Sequence, residues 1–169
     1  MGRRYQMKDL EWKYADDPVT GELIEKIIGQ AMGIKFPHDY IECAKVNHGA
    51  NVIPYRFDVE GIERAFGALL SFDEESSDNI VKEYDNYRDT LPNGIIPFGI
   101  DPSGNLICFD YKGHKEELII VFWYHEGTWE KEMLTLEEGL TEEQAEERAR
   151  ENVFYVAATF TEFLDKLHD

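Results

Sequence analysis

What is scarce in this 169-residue chain narrows its possible functions before any motif is read. Positive charge is scarce: 17 Lys and Arg stand against 35 Asp and Glu, a formal net charge of −18. Contacts from Lys and Arg to phosphate supply most of the affinity of nucleic-acid binders. A chain this acidic is therefore excluded as a partner of DNA, RNA or anionic lipid unless it holds a segregated basic patch. The densest basic stretch, Arg3, Arg4 and Lys8, is short and soon followed by acids. Cysteine is scarce too. Cys43 and Cys108 stand alone in apolar segments without a CxxC pair, so both are expected as buried, reduced thiols of a cytoplasmic protein. Long apolar runs are missing. Leu118 to Tyr124 is the longest, far short of the roughly 18 to 20 residues of a membrane helix, and it reads as a strand. The N-terminus has no signal-peptide core, because Met7 is followed by Lys8, Asp9 and Glu11, and a cytoplasmic location is the expectation.

Catalytic patterns are scarce as well. Five histidines occur, His38, His48, His114, His125 and His168, and none is spaced as HxxxH or HExxH or joined to a cysteine pair. His125 and Glu126 are adjacent, so on a strand they point to opposite faces and cannot share an ion. His48, just before Gly49, reads as a last-turn helix residue favoured by the dipole. Cys43 falls mid-helix and Cys108 mid-strand, poor places for an exposed thiolate, and no serine lies in a GxSxG elbow. Gly94, Gly99 and Gly104 lack the GK[ST] ending of a phosphate loop. Carboxylate pairs are too numerous to single out acid–base partners. No catalytic residue, metal ligand or cofactor-binding residue is expected.

What is present is a foldable chain. It is 43% apolar and 13% aromatic, and its length suffices to bury roughly 70% of its unfolded surface in one domain. Leu23, Ile24, Ile27, Ile28 and Ala31 predict a helix over Pro18 to Gly33, capped by Asp17 or Thr20 and ended by Gly33. A second helix starts at Pro37 and runs towards Gly49. Val52, Ile53, Tyr55 and Phe57, then Phe66, Leu69, Leu70 and Phe72, predict two strands. A third helix carries Ile80, Val81, Tyr84 and Tyr87, stopped by Pro92 and Gly94. The runs 95–100, 106–109 and 118–124 form an antiparallel meander joined by Asp101-Pro102-Ser103-Gly104-Asn105 and Lys112-Gly113-His114-Lys115. The last run has no polar alternation and is placed at the sheet centre with both faces covered. A strand at Val153 to Val156 and a helix bearing Phe160, Phe163, Leu164 and Leu167, opened by a Thr159/Glu162 capping box, close the chain. The expected fold is a single α+β domain, core about 18–167: a mostly antiparallel twisted sheet of about five to six strands, with N-terminal helices, a middle helix and a C-terminal helix packed around it.

The stretch 126–152 is different. It holds ten Glu against three basic residues, a local balance of −7, and its expected helix, Thr141 to Glu151, has only Ala145 and Ala149 as apolar groups. Thr141 and Gln144 can form a capping box, but such a helix buries little, so the stretch reads as a surface excursion. Phe122, Trp123, Tyr124 and Trp129 either line a ligand groove or pack the core and cover a sheet edge, the second being the simpler account.

Phe36-Pro37-His38-Asp39-Tyr40, Asn47-His48-Gly49, Ile96-Pro97-Phe98-Gly99-Ile100-Asp101, Gly104-Asn105, Cys108-Phe109-Asp110, the run Val121 to Glu126 and the run Val156 to Leu164 follow one another in an order that resembles the SUKH superfamily, the Smi/Knr-like proteins. The resemblance spans roughly Pro18 to Leu167. The chain departs from the family's usual Leu-Pro with Phe36-Pro37, from Asn-Gly-Gly with Asn47-His48-Gly49-Ala50, and in the length of its acidic excursion. The resemblance implies a non-catalytic α+β domain. Most bacterial members look like immunity proteins that neutralise a cognate toxin, often a nuclease, and eukaryotic relatives look like regulatory or scaffold proteins.

Joined to the net charge, this gives the expectation of a monomeric cytoplasmic immunity protein that occludes a basic, nuclease-type toxin domain. The alternatives are a regulatory scaffold and a small-ligand-binding protein. The expected partner-binding residues are two acidic patches, Asp73, Glu74, Glu75 and Asp78, and Glu137, Glu138, Glu142, Glu143, Glu146 and Glu147. Aromatic anchors would come from Trp129, Tyr55 or Tyr87.

Overall fold

The computed structural model describes residues 9–112 and 118–169; Arg3, Arg4 and Lys8 and the turn residues Gly113, His114 and Lys115 lie outside the described residues. A short strand, β1 (Glu11–Lys13), leads into two helices, α1 (Gly21–Met32) and α2 (His38–Asn47). Of the two candidate caps of α1, Thr20 is the one used: its hydroxyl accepts the Leu23 N–H at 3.1 Å. Gly33 ends the helix in the left-handed conformation, φ 68°. Pro37 stands at the N-cap of α2, where its missing N–H costs nothing.

His48 stands at the end of α2, as expected, and its backbone N–H bonds to the Ala44 carbonyl. It is also fully buried, which the sequence reading did not foresee. Its Nδ1 accepts the Phe72 N–H at 3.0 Å, which leaves Nε2 to donate to the Asp17 carbonyl at 2.7 Å. Gly49 follows at φ 82°, where an added Cβ would overlap the Asp16 carboxylate. That carboxylate in turn accepts the Ser71 hydroxyl. Asn47-His48-Gly49 therefore fastens the end of α2 to the loop before α1 and to the segment at Ser71 and Phe72.

Over 51–72 the chain forms four short strands instead of two: β2 (Asn51–Ile53), β3 (Arg56–Val59), β4 (Ile62–Ala65) and β5 (Ala68–Leu69). Pro54 has no N–H with which to extend a ladder beyond β2. Glu60 and Gly61 both take positive φ, 52° and 79°, and make the two-residue turn that reverses β3 into β4. β1 pairs with β2, and β3 with β4, as separate two-stranded ribbons. α3 (Ile80–Tyr87) follows, capped by Asn79, whose side-chain oxygen accepts the Val81 and Lys82 N–H groups.

The main sheet is antiparallel, in the order β5-β6-β7-β8-β9, with β6 (Ile95–Ile100), β7 (Leu106–Asp110), β8 (Ile119–Trp123) and β9 (Val153–Ala157). β7, not β8, is central; β8 is second from the edge because the chain returns from the 126–152 excursion to lie beside it. Both faces of β8 are covered as its composition requires. Ile120 and Phe122 enter the larger core cluster, and Val121 and Trp123 the smaller one on the opposite face. The larger core is aromatic: the Tyr40 ring meets Phe36, Phe98, Phe109 and Phe160 at centroid distances of 5.0 to 5.8 Å. α1, α2 and the closing helix α6 (Phe160–Asp165) cover this face. At α6 the capping box is half formed. Thr159 Oγ1 accepts the Glu162 N–H, but the Glu162 carboxylate reaches the Ala158 N–H one residue earlier.

Candidate functional site

The excursion between β8 and β9 is a helical hairpin, α4 (Lys131–Glu137) and α5 (Glu142–Arg150), turned at Gly139 with φ 69°. The sequence reading contains α5 and misses α4. α5 forms as expected: Thr141 Oγ1 accepts the Gln144 N–H and Gln144 Oε1 accepts the Thr141 N–H, at 3.1 and 2.9 Å. Its acids Glu142 and Glu143 open the helix and Arg148 and Arg150 close it, which complements the helix dipole. α4 has seven residues and no side-chain cap, so no local signal marks its start. Leu134 of α4 and Ala145 and Ala149 of α5 are its buried residues, and ion pairs add to this thin apolar contact.

Arg150 grips Asp110 at the end of β7 with two hydrogen bonds, 2.9 and 3.1 Å, and donates a third to the Asn93 carbonyl at 3.0 Å. Lys131 donates to Glu146 at 2.8 Å, and Glu146 accepts the Asn93 N–H at 3.1 Å. The Lys131 N–H itself bonds to the Asp89 carbonyl. Asp110 belongs to the face of β7 that carries Leu106 and Cys108. The hairpin therefore docks on the smaller-core side of the sheet, beside α3, whose Tyr84 and Tyr87 pack on that core.

These pairs change what the hairpin shows to solvent. Of the ten glutamates between Glu126 and Asn152, all but Glu146 are exposed, whereas Lys131 and Arg150 are half-buried in their pairs and only Arg148 is an exposed cation. Glu137, Glu138, Glu142, Glu143 and Glu147 are thus brought together on one hairpin, and Glu146 is committed to holding it in place. Two large apolar side chains stand in this field: Trp129, 54% exposed, just before α4, and Leu136, 73% exposed, on it. Leu136 was not among the sequence candidates, because nothing local marks which side of an undetected helix faces out. The depression between the two helices, about 320 Å³, is lined by Lys131, Glu132, Glu142 and Glu146 around Ala145. Four of its seven lining residues are charged, whereas a small-molecule site has few polar groups among hydrophobic and aromatic side chains.

The first patch is weaker. Asp73, Glu74 and Glu75 are exposed and Asp78 is half-buried. Asp73 Oδ1 accepts the Glu75 N–H, and Lys82 Nζ folds over the loop to the Glu74 carbonyl at 2.7 Å, placing a cation among the acids. Burial, followed by the neighbouring Asp78, raises the pKa of Glu83 above the usual carboxylate range. The two patches lie at opposite ends of α3, an eight-residue helix of about 12 Å.

The other candidates lie away from the hairpin's outer surface or are packed in the fold. The Tyr87 ring packs on Trp123 at 5.3 Å, so it is core rather than an anchor. Tyr55 is 42% exposed but sits at the β2–β3 link, on an element of the opposite core. Phe122 and Trp123 point to opposite faces and are fully buried, so they form no groove with Trp129. His125 donates its backbone N–H to Asn105 Oδ1 at 3.0 Å, and its ring lies 2.8 Å from the Ser103 carbonyl. Asp101 accepts the Ser103 and Asn105 N–H groups, so the 101–105 turn is a closed hydrogen-bond network. Burial raises the Cys43 thiol to about 11 and the Cys108 thiol well above its ordinary value, the opposite of what a nucleophile needs. No helix among the described residues is long and apolar enough to cross a membrane.

Residues 18–166 match the sequence model of the SMI1 / KNR4 family (SUKH-1), nearly the whole chain. No curated protein and no solved structure matches it.

Proposed function

The chain belongs to the SMI1 / KNR4 family (SUKH-1), and on that premise we propose that it is an immunity protein that binds a basic toxin domain through the outer face of the α4–α5 hairpin. The observation that carries this reading is the segregation of charge on the hairpin. Two of the three cations between Glu126 and Asn152 pair inward with Asp110 and Glu146, so nine exposed glutamates of this excursion stand against one exposed cation, Arg148, with Trp129 and Leu136 exposed in the same segment. A nuclease must present Lys and Arg to phosphate, so a carboxylate array competes for the same cleft as its substrate and steers the encounter. Trp129 and Leu136 would supply desolvated contacts at the centre of such an interface, ringed by carboxylates that pair at its rim. The protein acts by occlusion, in the cytoplasm where the toxin would otherwise reach its target, and contributes no catalysis.

The test is charge reversal on the hairpin. Glu137, Glu138, Glu142 and Glu143 changed together to Lys should slow association with a cognate basic toxin domain by at least about tenfold at low salt. The difference should shrink near 1 M salt, where the Debye length is about 3 Å. The same variant should lose rescue of cells expressing the toxin. An association rate equal to that of the native chain at low salt removes the hairpin from the mechanism. Reversing Asp73, Glu74 and Glu75 instead should have the smaller effect.

A further inference from the structure

A second cluster of charged side chains lies away from the hairpin, on the β3–β4 ribbon. Asp58 and Glu63 stand directly opposite each other in this antiparallel pair. Like charges facing across a ladder destabilise it unless a cation intervenes. The C-terminal segment is brought to this place by main-chain bonds: the His168 N–H donates to the Arg56 carbonyl at 2.8 Å, and the Arg56 N–H to the His168 carbonyl at 3.2 Å. His168 Nε2 then lies 3.3 Å from Asp58 Oδ2. One ligand atom each from Asp58, Glu63 and His168 falls within 4.8 Å of the other two.

The chemistry of the ring is the informative feature. Nδ1 lies 3.0 Å from the Asp169 main-chain oxygen, which has no proton to give, so Nδ1 carries the hydrogen and donates it. In the neutral ring this leaves the Nε2 lone pair unprotonated, 3.3 Å from Asp58 Oδ2 and with a Glu63 carboxylate oxygen within 4.8 Å of the cluster's ligand atoms. Nε2 is shielded from solvent, and its near neighbour is Asp58 Oδ2, which the protonated ring would pair with and which a metal ion would bridge once that proton is gone. A main-chain oxygen on one imidazole nitrogen, with the other nitrogen facing carboxylates, is an arrangement that orients a metal-ligating histidine. The 3.3 Å between Nε2 and Asp58 Oδ2 also matches the edge of a tetrahedron with bonds of about 2.0 to 2.1 Å.

We propose that Asp58, Glu63 and His168 form a binding site for a divalent transition-metal ion of the zinc type. One imidazole nitrogen with two carboxylates is a donor set that suits zinc, whereas magnesium and calcium take oxygen ligands alone. Three protein ligands leave a fourth position for water or for a group from a partner. Glu63 must leave Arg56, 3.5 Å away, to complete the site. That exposed pair is worth little, so its loss does not prevent binding. The site would fasten the end of the chain to the β3–β4 ribbon, and its existence is independent of the role given to the hairpin.

The experiment is a zinc titration of the full chain at pH 8 against a chromophoric chelator, with circular dichroism confirming that each variant is folded. The native chain should take up one zinc ion. His168→Ala and, separately, Asp58→Asn and Glu63→Gln should each weaken uptake by at least about tenfold. His38→Ala, on the exposed start of α2, should leave it unchanged. Magnesium at equal concentration should not compete. The proposal is overturned if the native chain takes up no zinc, if His168→Ala and Glu63→Gln bind it as tightly as the native chain, or if magnesium displaces it.

Discussion

Removing Asp110 tests whether ion pairs, rather than apolar burial, seat the hairpin. The Asp110 side chain is 7% exposed and that of Arg150 is 22% exposed, and the two meet in a bidentate contact at 2.9 and 3.1 Å. Asp110→Ala leaves the guanidinium with the Asn93 carbonyl as its remaining hydrogen-bond partner. Breaking a fully buried pair from one side costs about 3–5 kcal/mol. Arg150 keeps about a fifth of its exposure and is partly hydrated after the loss, which places the expected cost near the lower bound, about 2–3 kcal/mol. For a chain of this length that is a fall in melting temperature of about 4–12 °C. Urea unfolding of Asp110→Ala, Arg150→Leu and the double variant Asp110→Leu/Arg150→Leu gives the answer. The double variant should recover part of the loss, because apolar groups of similar volume leave no stranded charge. If Asp110→Ala unfolds within about 0.5 kcal/mol of the native chain, the size of an ordinary surface substitution, the pair does not hold the hairpin. The case for a rigid acidic face then falls with it.

Other expectations follow from single residues. The folded-state pKa of Glu83 is raised by burial and by Asp78, so its protonated form favours the fold, and that contribution is lost as pH rises through the folded value. Glu83→Gln should therefore raise the melting temperature at pH 7, and the gain should fade as the pH is lowered into the range where the native carboxyl is protonated. Gly49→Ala must place a Cβ at φ 82° against the Asp16 carboxylate. A loss of at least about 1–2 kcal/mol is expected from the backbone conformation alone, read by urea unfolding. With its thiol raised to about 11, Cys43 should react with a thiol reagent at pH 8 far more slowly in the native protein than after unfolding, and buried Cys108 likewise.

Much of the fold was legible because local chemistry and tertiary structure agree. Thr20, Thr141 and Thr159 each cap the helix they precede in the chain, as their spacing predicts. Ile119 to Trp123 is a strand covered on both faces, as its unbroken apolar character requires. The reading failed where the deciding contact is remote. α4 lacks a cap and is held by Asp89, Glu146 and the burial of Leu134, none of which is visible in a seven-residue window. Over 51–72, hydrophobic alternation reported which side chains are buried but not where the chain turns back at Glu60-Gly61.

The sequence by itself determined the class of fold, the excess of negative charge and its concentration between Glu126 and Asn152, since these depend on composition and short-range periodicity. Only the tertiary structure decided which of those charges are free. Arg150 is spent on Asp110 and Lys131 on Glu146, so the hairpin's outer face is more acidic than its local balance of charge suggests. Only the tertiary structure brought His168 to Asp58 and Glu63, and made the helix-end residue His48 a buried clasp between Asp17 and Phe72 as well. The physical reason is the same in each case. A hydrogen bond or ion pair acts over about 3 Å in space whatever its separation along the chain, and periodicity records only neighbours.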